Sequence, residues 1–160
     1  MPKMSILAAQ CFRDCKSLSV INLPGVIKTG DGAFSNCKSL TNIYAPSWEG
    51  VGTKTFQGVT TLQSVTNGFR KTTAIFSQMS NLKYVSMSKA ETANENAFFT
   101  CSALENIYAP ELLTIGKQAF GGCSSLKEFK AQKVSKITSH AFSNCTSLSY
   151  IHTPLVSVID

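Results

Sequence analysis

The sequence predicts a right-handed solenoid, a coil of short repeats with one parallel β-sheet on its concave face and short helical turns on its convex side. Two regularities predict it. Phe12, Phe34, Phe56, Phe76, Phe98, Phe120 and Phe142 recur every 22 residues, except for one interval of 20 between Phe56 and Phe76. A leucine follows each of them by six residues: Leu18, Leu40, Leu62, Leu82, Leu104, Leu126 and Leu148. A period of roughly 20–29 residues marks stacked coils, each of which buries its apolar side chains only against its neighbours. The handedness follows from the preference of parallel crossovers.

Each part of the unit has its own signal. The residue before the phenylalanine is small in most copies, as in Ala33, Ala97, Ala119 and Ala141. Three residues after the phenylalanine come Cys15, Cys37, Val59, Met79, Cys101, Cys123 and Cys145. This stretch does not alternate, so it reads as a short helical turn. Nine residues after the phenylalanine, Ile21, Ile43, Val65, Val85, Ile107, Phe129 and Ile151 mark the centre of one strand per coil. β-Branched residues alternate there with polar ones until a proline such as Pro24 or Pro110 ends the run. Side chains alternate along a strand, so Ile21 and Leu23 point inward while Val20 and Asn22 point out. A fourth apolar position lies five residues before the next phenylalanine, clear at Ile115 and Ile137 and weakened at Thr29.

The segment from Ile115 and Gly116 through Ala119, Phe120 and Cys123 to Leu126 resembles the repeat of BspA-like leucine-rich repeat proteins. So do the runs from Ala33 to Leu40 and from Ala141 to Leu148, and the resemblance covers essentially the whole chain. It implies a leucine-rich repeat solenoid belonging to a protein displayed on a cell surface or secreted, which adheres to host proteins or to other cells. The reading is one domain over 1–160, of about seven repeats, with irregular third and fourth copies at 56–97. In those copies Val59 and Met79 replace cysteine, and Gly68 and Ser88 replace proline. The polar run at residues 89–96 offers no obvious apolar filling, so residues 66–97 are expected to be the least regular part. The chain starts and stops inside a repeat without a polar cap, which suggests a fragment of a longer protein.

Composition narrows the function. Six cysteines invite a disulfide framework, yet five share a slot that elsewhere holds Val59 or Met79, and Cys11 shares the slot of Ala33 and Ala119. Buried free thiols are therefore expected. The net charge of +6 is dispersed, and Lys127, Lys130, Lys133 and Lys136 are spread around one coil by their spacing of three. No nucleic-acid partner is expected. No apolar run approaches the ~20 residues of a membrane helix, so no membrane insertion is expected either. His140 falls in an exposed slot, and His152 lies on the outward strand face with no acidic partner in the repeat frame. No phosphate loop, zinc-helix or calcium-loop motif is present. The reading is no enzyme, no catalytic residue, no metal and no cofactor.

The outward strand positions fall eight and ten residues after each phenylalanine, and they hold all four tyrosines. Tyrosine gives rigid amphipathic contact area at low entropic cost, although aromatic residues also favour strands in general. Tyr44, Tyr84, Tyr108, Lys130, Tyr150 and His152 are therefore the candidate contacts for a protein or glycan on the concave face. Tyr108, Lys130 and His152 share one slot in successive coils and are expected to stack at about 4.8 Å, making a mildly basic patch. The alternative is a spacer or stalk segment of a longer surface protein, with recognition elsewhere.

Overall fold

The computed structural model describes residues 5–159, and the ends of the predicted domain, residues 1–4 and 160, lie outside it. The predicted strands all form. They are β2 (Val20–Asn22), β4 (Asn42–Ala45), β6 (Ser64–Asn67), β8 (Tyr84–Met87), β10 (Asn106–Tyr108), β12 (Glu128–Lys130) and β14 (Tyr150–His152). They pair in parallel and in register, Ile21 with Ile43, Ile43 with Val65 and Val65 with Val85. Pairing is unbroken from β2 to β10, stops, and resumes between β12 and β14.

A second parallel sheet, absent from the sequence reading, follows the corner after each main strand. Its members are β1 (Ile6–Leu7), β3 (Lys28–Thr29), β5 (Gly50–Val51), β7 (Lys71–Thr72), β9 (Thr92–Ala93), β11 (Thr114–Ile115), β13 (Lys136–Ile137) and β15 (Val158–Ile159). They pair within two groups, β1 to β5 and β7 to β15. The position five residues before the phenylalanine is the inward one of these two-residue strands, buried at Thr29, Ala93 and Ile115. The corner adds an inward slot that the sequence reading missed, filled by Val26, Trp48, Phe69, Ala90, Leu112 and Val134.

The phenylalanine stretch is a string of hydrogen-bonded turns with one short 3-10 helix, Ala74–Phe76. Two residues after each repeat phenylalanine the backbone is left-handed, from φ 55° at Thr100 to 76° at Gly122. Two residues before it the same holds at Gln10, Gly32, Lys54, Asn96, Gln118 and His140. Asn36, Gly58, Gly122 and Asn144 suit that conformation. These turns bond to one another in a third ladder. The N–H groups of Gln10, Phe12 and Asp14 donate to Asp31, Ala33 and Ser35 of the next coil, and those of Gln118, Phe120 and Gly122 donate to Ser139, Ala141 and Ser143.

Inside, the seven phenylalanine rings form one continuous stack. Centroids lie 5.4–6.0 Å apart, and Phe98 is parallel to Phe76 and to Phe120 within 2°. Phe34, Phe120, Leu40, Leu104 and Leu126 are fully buried, as the repeat frame requires. Phe142, expected to be equally hidden, is only half-buried, because no coil covers it on its C-terminal side among the described residues.

The shortened interval is absorbed at two corners. Val65 to Thr72 is one residue shorter than Ile43 to Val51, and Thr72 to Phe76 is one residue shorter than Val51 to Phe56. The 3-10 helix stands where other coils have a left-handed residue. The main sheet passes through this region undisturbed, with Ser64 facing Tyr84. The other two ladders register it. Pairing stops between β5 and β7, no backbone turn bond among the described residues joins the Phe56 stretch to the Phe76 stretch, and the bonds from the Phe76 stretch to the next are those of Gln78 N–H and Ser77 Oγ–H to the Phe99 carbonyl. The core there is nonetheless filled. Ala90 and Ala93 from the polar run are fully buried, and the larger Phe69 and Met87 of the same region are buried too.

All six cysteines are free. Cys37, Cys101, Cys123 and Cys145 are buried, and each thiol donates to a phenylalanine carbonyl of the preceding coil, at 3.0, 2.9, 3.3 and 3.0 Å. The slot thus takes a weak donor as well as an apolar filler. Burial pushes the Cys101 thiol up to about 12 and raises those of Cys123 and Cys145 as well. Cys11, expected inside with Ala33, is exposed, and Cys15 is half-buried, because no coil precedes theirs among the described residues. Thiol titration of the native protein should label Cys11 quickly and Cys15 more slowly, and the other four only on unfolding. Fast labelling of Cys101 or Cys123 would refute their place in the core.

Candidate binding face

The outward face of the main sheet is set by strand alternation. Tyr44, Tyr84, Tyr108 and Tyr150 are 50%, 48%, 60% and 49% exposed, while Ile43, Val65, Val85 and Phe129 beside them face the core. The cross-strand neighbours of the first three are small and polar. Tyr44 lies between Asn22 and Thr66, Tyr84 between Ser64 and Asn106, and Tyr108 beside Ser86. Neither the rings nor the hydroxyls of Tyr44, Tyr84 and Tyr108 meet a hydrogen-bonding, aromatic or charged partner.

The structure divides the six candidate residues. Tyr84 and Tyr108 lie on adjacent strands and border a shallow groove of about 340 Å³, lined by Ser64, Thr66, Ser86 and Asn106 and by Val65, Val85 and Ile107. Tyr44 lies on β4, two strands from Tyr84, or roughly 10 Å at ordinary strand spacing. Lys130, Tyr150 and His152 belong to the separate β12–β14 pair. There Tyr150 stacks on His152 at 6.3 Å with the rings within 3°. Lys130 Nζ lies 5.7 Å from the Tyr150 ring centre and 2.8 Å from Glu128. Lys130 pairs in register with His152, but no ladder joins its strand to that of Tyr108. The hydrogen bond and charge of Glu128 raise the Lys130 pKa. That carboxylate also offsets the charge expected to make the patch basic.

A second hollow, about 370 Å³, opens where the ladder is interrupted, between Glu105, Asn106, Lys127, Glu128 and Tyr150. Another, about 580 Å³, lies along corner residues Pro24, Gly25, Ile27, Ser47, Glu49 and Lys89, away from the tyrosines. The groove residues Ser64, Thr66, Ser86 and Asn106 occupy outward slots visible in the sequence, but nothing in their type set them apart. His140 is exposed in its left-handed turn. Among the described residues, no group of three or more His, Cys, Asp or Glu side chains could hold a metal ion, and no helix is long and apolar enough to cross a membrane.

Residues 2–75 and 72–160 match the family described as BspA type leucine rich repeat region, in six copies. Among solved structures, a leucine-rich repeat protein from Bacteroides ovatus is similar at 25% identity with a TM-score of 0.67, over 99% of this chain and 49% of that one. The chain thus spans about half the length of that protein. A T. pallidum leucine-rich repeat protein is similar at 23% identity with a TM-score of 0.65, over 90% and 71% of the two chains. A leucine-rich cell surface protein from Faecalibacterium prausnitzii is similar at 19% identity with a TM-score of 0.51, over 92% and 62%. No curated protein matches the chain.

Proposed function

This chain belongs to the BspA-type leucine-rich repeat family, and on that premise we propose that it is a non-enzymatic adhesion module. It would work on a cell surface or secreted, gripping a protein or glycan through the main-sheet face. One observation carries the reading. Tyr44, Tyr84 and Tyr108 hold their rings and hydroxyls in solvent with no partner among the described residues, which is an unused supply of the contact groups that binding faces favour. A cell-surface setting is supported by the family and by the similarity to the leucine-rich cell surface protein of F. prausnitzii. The non-enzymatic part rests on the histidines: His140 stands in a turn, His152 packs on Tyr150, and neither makes an ion pair with a carboxylate among the described residues.

A stalk remains the second reading, favoured by the unbroken ring stack, which makes the coil a stiff rod whatever its surface carries. An array of extracellular-matrix proteins and glycans separates the two. Replacing Tyr84, Tyr108 and Tyr150 together with alanine should abolish capture and leave the melting temperature nearly unchanged. Capture that survives the triple change moves the stalk reading to first place.

A further inference from the structure

We propose that the groove between Tyr84 and Tyr108 takes an uncharged glycan chain; this rests on the main-sheet face being the binding face and names its ligand class. The polar side chains lining the groove are Ser64, Thr66, Tyr84, Ser86, Asn106 and Tyr108. Each of them can both donate and accept a hydrogen bond. No ammonium, guanidinium or carboxylate lines the groove, although the chain carries 15 basic and 9 acidic residues. Beyond the ladder break, Glu128 and Lys130 satisfy each other at 2.8 Å.

None of the six polar side chains bonds to another of the described residues. Polar side chains just ahead of the main strands are instead engaged with backbone: Thr41 with Ser19, Thr61 with Leu40, Asn81 with Thr60 and Ser149 with Lys127. The groove therefore holds a cluster of unspent, bifunctional hydrogen-bonding groups between two solvent-facing rings. A ligand whose own groups are mostly hydroxyls, each both donor and acceptor, matches that set. An acidic ligand would find no cation there, and a basic one no anion. The ring faces suit the apolar C–H faces of sugar rings. The groove is shallow and open along the sheet, which admits a chain passing over it and does not enclose a single small molecule.

Neutral hexasaccharides of glucose, mannose and xylose provide the probes, with heparin and polygalacturonate as anionic counterparts and titration calorimetry as the readout. At least one neutral hexasaccharide should bind, and neither polyanion should compete. Tyr84→Ala and Tyr108→Ala should each weaken that binding by about tenfold or more. Tyr84→Phe and Tyr108→Phe keep the ring and should lose only a few-fold, and Leu113→Ala, exposed away from the groove, should change nothing. Circular dichroism of each variant controls for folding. Absence of binding by all three neutral probes, or binding indifferent to both alanine changes, overturns the proposal. If the triple tyrosine variant loses capture of a protein while no neutral probe binds, the binding face stands and the glycan assignment falls.

Discussion

Phe120→Ala should destabilise the C-terminal coils by on the order of 3–5 kcal/mol, the range for deleting a buried aromatic ring. The ring is fully buried and stacks on Phe98 at 5.4 Å and on Phe142 at 5.5 Å, with Phe129 tilted against it at 5.3 Å. Removing it opens a void between three coils that the rigid backbone ladders on either side keep from closing. A coil touches only its neighbours, so urea should now release the last two coils ahead of the rest, as a separate early transition. Phe142→Ala should cost less, since its ring is half-buried and stacks on one side only. Tyr108→Ala, on the surface, should stay within about 0.5 kcal/mol. If Tyr108→Ala costs more than Phe120→Ala, the inward and outward slots have been exchanged.

The second large effect belongs to Trp48. Its indole is fully buried, edge-on to Phe34 at 6.2 Å and to Phe56 at 5.8 Å, and tilted against Phe69 at 5.4 Å. Its Nε1–H finds no acceptor. Trp48→Ala should cost about 3–5 kcal/mol. Trp48→Phe removes volume too, but it also removes a buried donor left without a partner, a burden of about 1–3 kcal/mol. The two terms oppose each other, and the net loss in a denaturation series should stay below about 1.5 kcal/mol. A Trp48→Phe loss well above that bound would mean that the indole N–H is satisfied.

Which features the sequence displayed follows from how strongly each position is constrained. Phe34, Leu40 and Ile43 repeat as bulky apolar residues because every coil must fill the same interior space, and the main strands and the exposure of the tyrosines follow from that register. The second sheet escaped because its strands are two residues long and its inward slot accepts Thr29, Thr72 and Ala93 as readily as Ile115. The left-handed turns were legible at Gly58 and Asn144 but not at Gln10, Lys54, Gln118 or His140, whose types do not announce a positive φ. Cys11 and Phe142 were misjudged because a repeat frame treats every coil as an inner one. The separation of Tyr108 from Lys130 depends on how two neighbouring coils settle against each other, and equal spacing in the sequence carries no record of that.

The turn ladder has a direction: in each complete rung the donors belong to the earlier coil and the acceptors to the later one. The turn stretch of each coil therefore has one flank of N–H groups and an opposite flank of C=O groups, so these stretches join in only one orientation and any coil can follow any other. Tandem duplication of one 22-residue stretch would yield a longer protein whose new backbone groups already match those on either side. A duplication out of phase by two residues would spoil the rungs bordering the affected unit and leave the remainder intact, as happens around Phe76. Growth of this architecture is thus inherited in whole coils, while the outward side chains are free to diverge from one copy to the next.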